Sequence, residues 1–381
     1  MIDLDGAAAL FAAASDLTVG LEEEFSILEP ESLDLTQRFE ELRDSAAERS
    51  PALHEHLAGE LISSEIEIIS GRGTDLADAI ARQRELRREL FALAEGRGVA
   101  LGATATHPWA DYREQRIIET EHYRRVEEGL KYVAWRNNTF SLHVHVGVRD
   151  LDRAVKVCDR LRPVLPLLLA LSASSPFLDG RASGLHSSRS QIFTRSFPRC
   201  GVPEPFGGWP AYREYIELLS ATASIVEFTQ VWWSIRPHFA FGTVEVRICD
   251  VQSTASDSEE LAALIVACVA QALRDIDERR PFEDLPGRLI EENMWRAIRY
   301  GLDGRMIDFE RGEEYPSARI AERLLAWTAP ARRELGLDPK LPERNSAQRQ
   351  LDLLAAGASM EEVYAQTVRE TRTSYADGGP A

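Results

Sequence analysis

Apolar and polar side chains alternate in four short stretches of this chain. Side chains of a strand point alternately to its two faces, so each alternation separates an apolar row from a polar one. In residues 18–28, Val19, Leu21, Phe25 and Ile27 share one row and Glu22 and Glu24 the other, while Glu23 falls among the apolar positions without an evident reason. In 61–70, Ile62, Ile66 and Ile68 oppose Ser63, Glu65 and Glu67. In 140–148, Phe140, Leu142, Val144, Val146 and Val148 oppose His143 and His145. In 243–250, Val244, Val246 and Ile248 oppose Glu245 and Arg247, and the preceding 231–238, near enough to form a hairpin, adds Arg236 and His238 on one face.

Helical periodicity fills most of the intervals. Helices are expected over 37–49, 74–97, 120–135, 151–173 and 211–228, with a short strand near 99–105. Pro163 and Pro166 should kink or split the fourth of these. Residues 176–210, rich in Gly, Pro, Ser and Arg, read as a long loop shaping a pocket. From about 257 the chain reads as almost entirely helical. The expected architecture is α+β: an antiparallel sheet with helices on its apolar face, one domain over 1–381, and a C-terminal helical block packed around the sheet.

Composition narrows the function. The chain has 381 residues, 44% hydrophobic and 28% charged, with a formal net charge of −18. Such acidity argues against a general affinity for nucleic acid or anionic membrane. The run Val164–Ala173 is too short to span a bilayer. No basic segment precedes the Ala-rich stretch after Asp3 and Asp5, so no signal peptide is expected. Cys158, Cys200, Cys249 and Cys268 lack CxxC spacing, which fits reduced thiols in a cytoplasmic protein. The sheet edges and helical faces are compatible with a homodimer, although no motif specifies one.

The polar rows together carry Glu, His and Arg, with no Lys. A solvated sheet face would account for any one strand alone. Clustered carboxylates, however, repel one another and protonate unless a cation compensates them. Donor sets rich in carboxylate suit Mg2+, with Mn2+ tolerating the histidines. Metal beside arginine suits a nucleoside triphosphate. No Walker A sequence occurs, so an ATP site here would lack a phosphate-binding glycine loop.

At this point the sequence resembles a known family. Gly20-Leu-Glu-Glu-Glu-Phe25, Leu142-His-Val-His-Val-Gly147 and Gly242-Thr-Val-Glu-Val-Arg-Ile-Cys-Asp250 are similar to signature segments of glutamate–cysteine ligase family 2, the bacterial carboxylate–amine ligases. Thr106-His-Pro108, Ser187-Ser-Arg-Ser-Gln-Ile-Phe193, Trp232-Trp-Ser-Ile-Arg-Pro-His238 and Glu292-Asn-Met-Trp-Arg-Ala-Ile-Arg-Tyr-Gly301 extend the likeness in the same order. The resemblance implies a glutamine-synthetase-like core with a curved antiparallel sheet. It also implies ATP-dependent formation of a γ-glutamyl amide through an acyl phosphate, from small carboxylate and amine substrates.

By position, it implies metal binding by Glu22, Glu24, Glu67, His143 and Glu245, phosphate contact by Arg247, and a substrate carboxylate held by Arg189 with Arg236 as a second. His145 would support the nucleotide or a ligand through a hydrogen bond. Glu60, off the parity of Glu65 and Glu67, and Glu65 itself are left open as ligands. A phosphotransferase on the same core, a ligase for another carboxylate and amine, a metal-dependent hydrolase and a non-catalytic binder are the competing classes.

Overall fold

The four alternating segments become neighbours in one antiparallel sheet. The computed structural model describes residues 2–376. The sheet comprises β1 (Val19–Leu28), β2 (Leu57–Ala58), β3 (Glu65–Ile69), β4 (Ala100–Gly102), β5 (Leu142–Gly147), β6 (Ile235–His238) and β7 (Thr243–Val246). Its order is β6-β7-β5-β1-β3-β2, with β4 pairing along the end of β1. The expected hairpin is β6–β7, and its return is made by Gly242 at φ +67°, a conformation that favours glycine.

The apolar rows point to the helical side, as their alternation predicts. Val19, Leu21, Val144, Val146, Val244 and Val246 join a core completed by the helices Leu151–Leu161, Leu165–Ser172 and Ala255–Asp277. Phe25, Ile27, Ile66 and Ile68 form a second core with Leu86, Leu90 and Phe91 of the helix Leu76–Gly96. An unanticipated helix, Leu4–Ala13, is capped by Asp3 and sends Leu4, Ala7 and Phe11 into the first core. No helix among the described residues is long and apolar enough to cross a membrane.

Glu23 now has a reason to stand in the apolar row. It is fully buried on the helical side and accepts two bonds from Arg87, at 2.8 and 2.7 Å. Burial pushes its pKa up, but the Arg87 charge and hydrogen bonds outweigh that and hold the carboxyl below its ordinary range.

Several boundaries differ from the expected ones. The strand foreseen over 61–70 is ordered as a strand only over Glu65–Ile69. Upstream, the backbone turns to another partner: Ile118 N–H donates to Leu61 and Ser63 N–H to Arg116. Glu60 therefore sits in a loop, free of strand parity. The helix foreseen over 151–173 splits at the 3-10 turn Arg162–Val164, as its prolines require. That foreseen over 120–135 breaks at Lys131, whose φ is +49°. Residues 176–210 are not one loop, because Ser187 caps a helix over Ser188–Ser196. Its Ser- and Arg-rich composition hides the helical period. In the C-terminal block, Arg305–Asp308 and Glu313–Pro316 form a hairpin among the helices.

Candidate active site

The polar face of the sheet is roofed rather than solvated. Helix Glu121–Leu130 brings His122, Tyr123 and Val126 over it, helix Ser188–Ser196 brings Arg189 and Phe193, and Trp232 closes a side. Glu245 is 1% exposed, Glu65 2% and His143 3%.

Register dictates which polar groups meet, because directly opposed residues share a face. Glu22 lies opposite His143, Glu24 opposite Glu67, Gly20 and Glu245 on either side of His145, and Arg236 opposite Glu245. The side chains complete a continuous network. His143 Nδ1 lies 2.9 Å from a Glu22 oxygen and its Nε2 2.8 Å from the Ser141 hydroxyl. Ser141 donates through its hydroxyl to Glu24 at 2.7 Å, and through its amide to the same carboxylate. His145 Nε2 lies 3.0 Å from Glu22, and its Nδ1 2.9 Å from the Thr243 hydroxyl.

Electrostatics divides the network in two. In the first half the acids are compensated. Burial raises the Glu245 pKa, but Arg236 and Arg247 bring it well below the usual carboxylate range. Burial likewise opposes ionisation of Glu22, and His145 and His143 overcome it. Glu22 in turn raises His145 against the opposing effect of burial, whereas burial and Arg247 lower His143.

In the second half burial and like charge act together. Glu60 is pushed up to about 8 by burial and by Glu24. Burial and neighbouring glutamates drive Glu65 and Glu67 well above the ordinary range. Arg247 beside Glu60 and Arg189 beside Glu65 offset this only in part, and a divalent cation would supply the remaining positive charge.

The donor atoms suit such a cation. Three overlapping groups each place one atom per residue within 4.8 Å of the others: Glu22, Glu67 and His143; Glu22, His145 and Glu245; Glu24, Glu60 and Glu67. Carboxylate oxygens dominate, with one imidazole in each of two groups, a set fitting Mg2+ or Mn2+. Glu60, the residue off strand parity, is thus brought to the cluster by its loop. His145, expected to hydrogen-bond only, also belongs to a group that could hold a cation.

The three arginines differ. Arg247 donates to Glu245 and lines the cavity. Arg189 lines it too, with Nη atoms donating at 3.1 Å to the carbonyls of Ile248 and Arg247 and a buried Nε that has no hydrogen-bond partner among the described residues. Arg236 occupies a different place. It donates to Glu245 at 2.5 and 3.3 Å and to the carbonyls of Thr229 and Val231 at 3.1 and 2.5 Å. Those donors are engaged inside the protein, whereas the sequence resemblance implies a contact to a substrate carboxylate.

Other residues were missed or placed only in outline. Ser141 and Thr243 share strand parity with His143 and Glu245, and that shared parity was the available signal. Asp250, fully buried, accepts from Ser175 at 2.8 Å and Ser187 at 3.0 Å, and its oxygen lies 3.6 Å from Arg189. Trp232 lines the cavity, whereas Trp233 belongs to the core. His107 is structural: its Nδ1 accepts from the amides of Trp109 and Ala110, and its Nε2 lies 2.7 Å from the Leu33 carbonyl.

Known proteins resemble this chain along nearly its whole length. The sequence profile of the family described as glutamate-cysteine ligase family 2 matches residues 18–363. A protein of Sorangium cellulosum named "Putative glutamate--cysteine ligase 2" is 38% identical over 365 residues, covering 93% of this chain and 96% of that protein. One of Rubrobacter xylanophilus, "Putative glutamate--cysteine ligase 2-2", is 38% identical over 366 residues, covering 95% and 93%.

Among solved structures, a glutamate–cysteine ligase from Francisella tularensis in complex with AMP aligns with a TM-score of 0.68 at 11% identity, covering 96% of this chain and 91% of that one. A bifunctional glutathione synthetase from Pasteurella multocida aligns with the same TM-score at 13% identity, and this chain spans about half its length, 54%. These structures share the fold, which is glutamine-synthetase-like. Matched over most of its length by the family profile and by relatives at 38% identity, the chain belongs to glutamate–cysteine ligase family 2.

Proposed function

We propose that this chain, as an ATP-dependent carboxylate–amine ligase of its family, joins the γ-carboxylate of glutamate to the amine of cysteine on the acidic face of its sheet. The observation that carries this reading is the divided network: an incompletely compensated carboxylate half, with Glu24, Glu60 and Glu65 lining a roofed cavity, abuts an arginine- and histidine-compensated half. The names of the relatives support glutamate and cysteine as the substrates.

Glu22, Glu24, Glu60, Glu67, His143, His145 and Glu245 would hold divalent ions, Mg2+ or Mn2+. When bound, such ions supply charge neutralisation on the triphosphate. Arg247, on the same wall, grips phosphate oxygens through its planar fork. Arg189, on the roofing helix Ser188–Ser196, meets the substrate carboxylate. Arg236 keeps Glu245 ionised and in place.

A glutamate carboxylate oxygen attacks the γ-phosphorus, and the bond to the ADP oxygen breaks, giving an acyl phosphate. The amine nitrogen then attacks the acyl carbon, the bond to phosphate breaks, and the nitrogen loses a proton. The residues contribute positioning and charge, and the roof keeps water from the acyl phosphate.

The test is a product analysis with ATP, glutamate, cysteine and Mg2+. ADP, phosphate and γ-glutamylcysteine are expected in equal amounts, with the rate falling at least about a hundredfold in Glu22→Gln and in Glu245→Gln. ADP formed without a new amide would make the protein a phosphotransferase. Amide formed only with other amines would move the reading to a different substrate pair.

A further inference from the structure

Glu23 stands between two of the proposed ligands, Glu22 and Glu24, and points the opposite way through the central strand. Its carboxylate gathers donors from three helices. From Leu76–Gly96 come Gln83 at 2.9 Å and the Arg87 fork at 2.8 and 2.7 Å. From Ala255–Asp277 comes the Ser258 hydroxyl at 2.5 Å, and from Met360–Ala376 the Tyr375 hydroxyl at 3.5 Å. Arg87 is itself fixed, donating to Glu259 at 2.7 Å and lying over the Tyr375 ring at 4.9 Å. Both members of the pair are almost wholly inaccessible, at 0% and 1%.

Packing alone does not call for this pair. On the same face of β1, Val19, Leu21, Phe25 and Ile27 meet the helices with apolar side chains. A buried ion pair is commonly no more stabilising than an apolar pair of similar volume, since both charges must leave water. What it adds is geometry. An apolar contact tolerates sliding, whereas a forked pair with further donors fixes one strand position and rotation. A ligand constellation needs its side chains held within about 0.5 Å, and adjacent residues of one strand share every shift of its backbone.

We propose that the Glu23–Arg87 pair is a positioning device for the cation site. It pins β1 from behind, so that Glu22 and Glu24 each present a carboxylate to the ligand groups they belong to, Glu22 beside Glu67 and His143 and Glu24 beside Glu60 and Glu67. This rests on the reading that Glu22 and Glu24 are ligands, and the experiment separates the two.

Mn2+ binding to the metal-free full-length protein is titrated by electron paramagnetic resonance, with unfolding followed in parallel. The unaltered protein must bind Mn2+, and failure there overturns the ligand assignment itself. Given binding, Glu23→Gln and Arg87→Lys are expected to weaken it by about tenfold, the effect usual for groups that orient ligands. The deciding variant is the paired Glu23→Leu, Arg87→Met, which restores apolar packing without the pin. It is expected to unfold at a temperature equal to or above that of the parent, yet to bind Mn2+ about tenfold more weakly.

A folded paired variant with parental affinity overturns the proposal and leaves the ion pair a purely structural element. Should the paired variant not fold, Ser258→Ala carries the test, since it removes one bond to Glu23 and keeps the pair. A two- to threefold loss of affinity at unchanged melting temperature supports the pin, and unchanged affinity overturns it.

Discussion

At the residue scale the site is a problem of protons. Glu60, pushed up to about 8, largely retains its proton at pH 7 without a cation, and burial and like charge raise Glu65 and Glu67 in the same direction. A divalent ion favours the ionised form of each, so its binding must expel protons. Titrating Mn2+ calorimetrically at pH 7 in buffers of different ionisation enthalpy should show at least one proton released per binding event. The apparent affinity should climb with pH until about 8 and then level. Binding without proton release would mean that this carboxylate half is not where the ion goes.

Strand parity made Glu22, Glu24, Glu65, Glu67, His143, His145, Glu245 and Arg247 visible in the sequence, because a period of two sorts residues onto faces without knowledge of the fold. Glu60 was not legible that way, since its position follows from a loop redirected by the backbone bonds of Leu61 and Ser63. Glu23 was visible only as an anomaly, because its partner Arg87 lies on a helix 64 positions away. The internal partners of Arg236 were likewise hidden, as the carbonyls of Thr229 and Val231 reach it only in the folded chain.

At the element scale, the helix Ser188–Ser196 shows how a polar segment escapes a hydrophobic-period reading. Ser187 accepts from the Ser190 amide at 3.3 Å and donates to buried Asp250 at 3.0 Å, tying the start of the helix to the chain just after β7. Arg189, two residues on, is placed by that tie. Ser187→Ala removes the cap and one of the Asp250 bonds together. The cap is worth about 1 kcal/mol of stability. The more telling expectation is kinetic: KM for the carboxylate substrate should rise severalfold with a smaller change in kcat, because Arg189 is proposed to act in binding. A fall in kcat at constant KM would place Arg189 on the transferring phosphate instead. The proline split at Arg162–Val164 was foreseeable because a missing amide acts locally. The shortening of β3 was not, since strand length depends on which partner the backbone finds.

At the scale of the whole molecule, the same charges set how stability depends on pH. Glu22, Glu23 and Glu245 are depressed in the folded state. Their contribution is present above the unfolded carboxylate pKa, about 4.3, and is lost as pH falls through their folded values. Glu60, Glu65 and Glu67 act in the opposite sense: raised groups stabilise fully below that unfolded value and lose the contribution as pH rises toward their folded values, about 8 for Glu60. Between pH 5 and 8 the folded state therefore binds more protons at this cluster than the unfolded chain, and the cluster's contribution to the slope of stability with pH is negative. A net charge of −18 adds general repulsion in the same direction. Below about pH 7 the buried histidines His107, His143, His186 and His238, depressed in the folded state, act in the opposite sense, so the melting temperature of protein stripped of metal should fall from pH 7 to pH 8. Saturating Mg2+ or Mn2+ should flatten that slope and stabilise more at pH 8 than at pH 7, because protons compete less with the ions there. A stripped protein whose melting temperature held steady or rose over this interval would show the acidic face to be compensated from within, and the need for a cation on which the ligase reading rests would disappear.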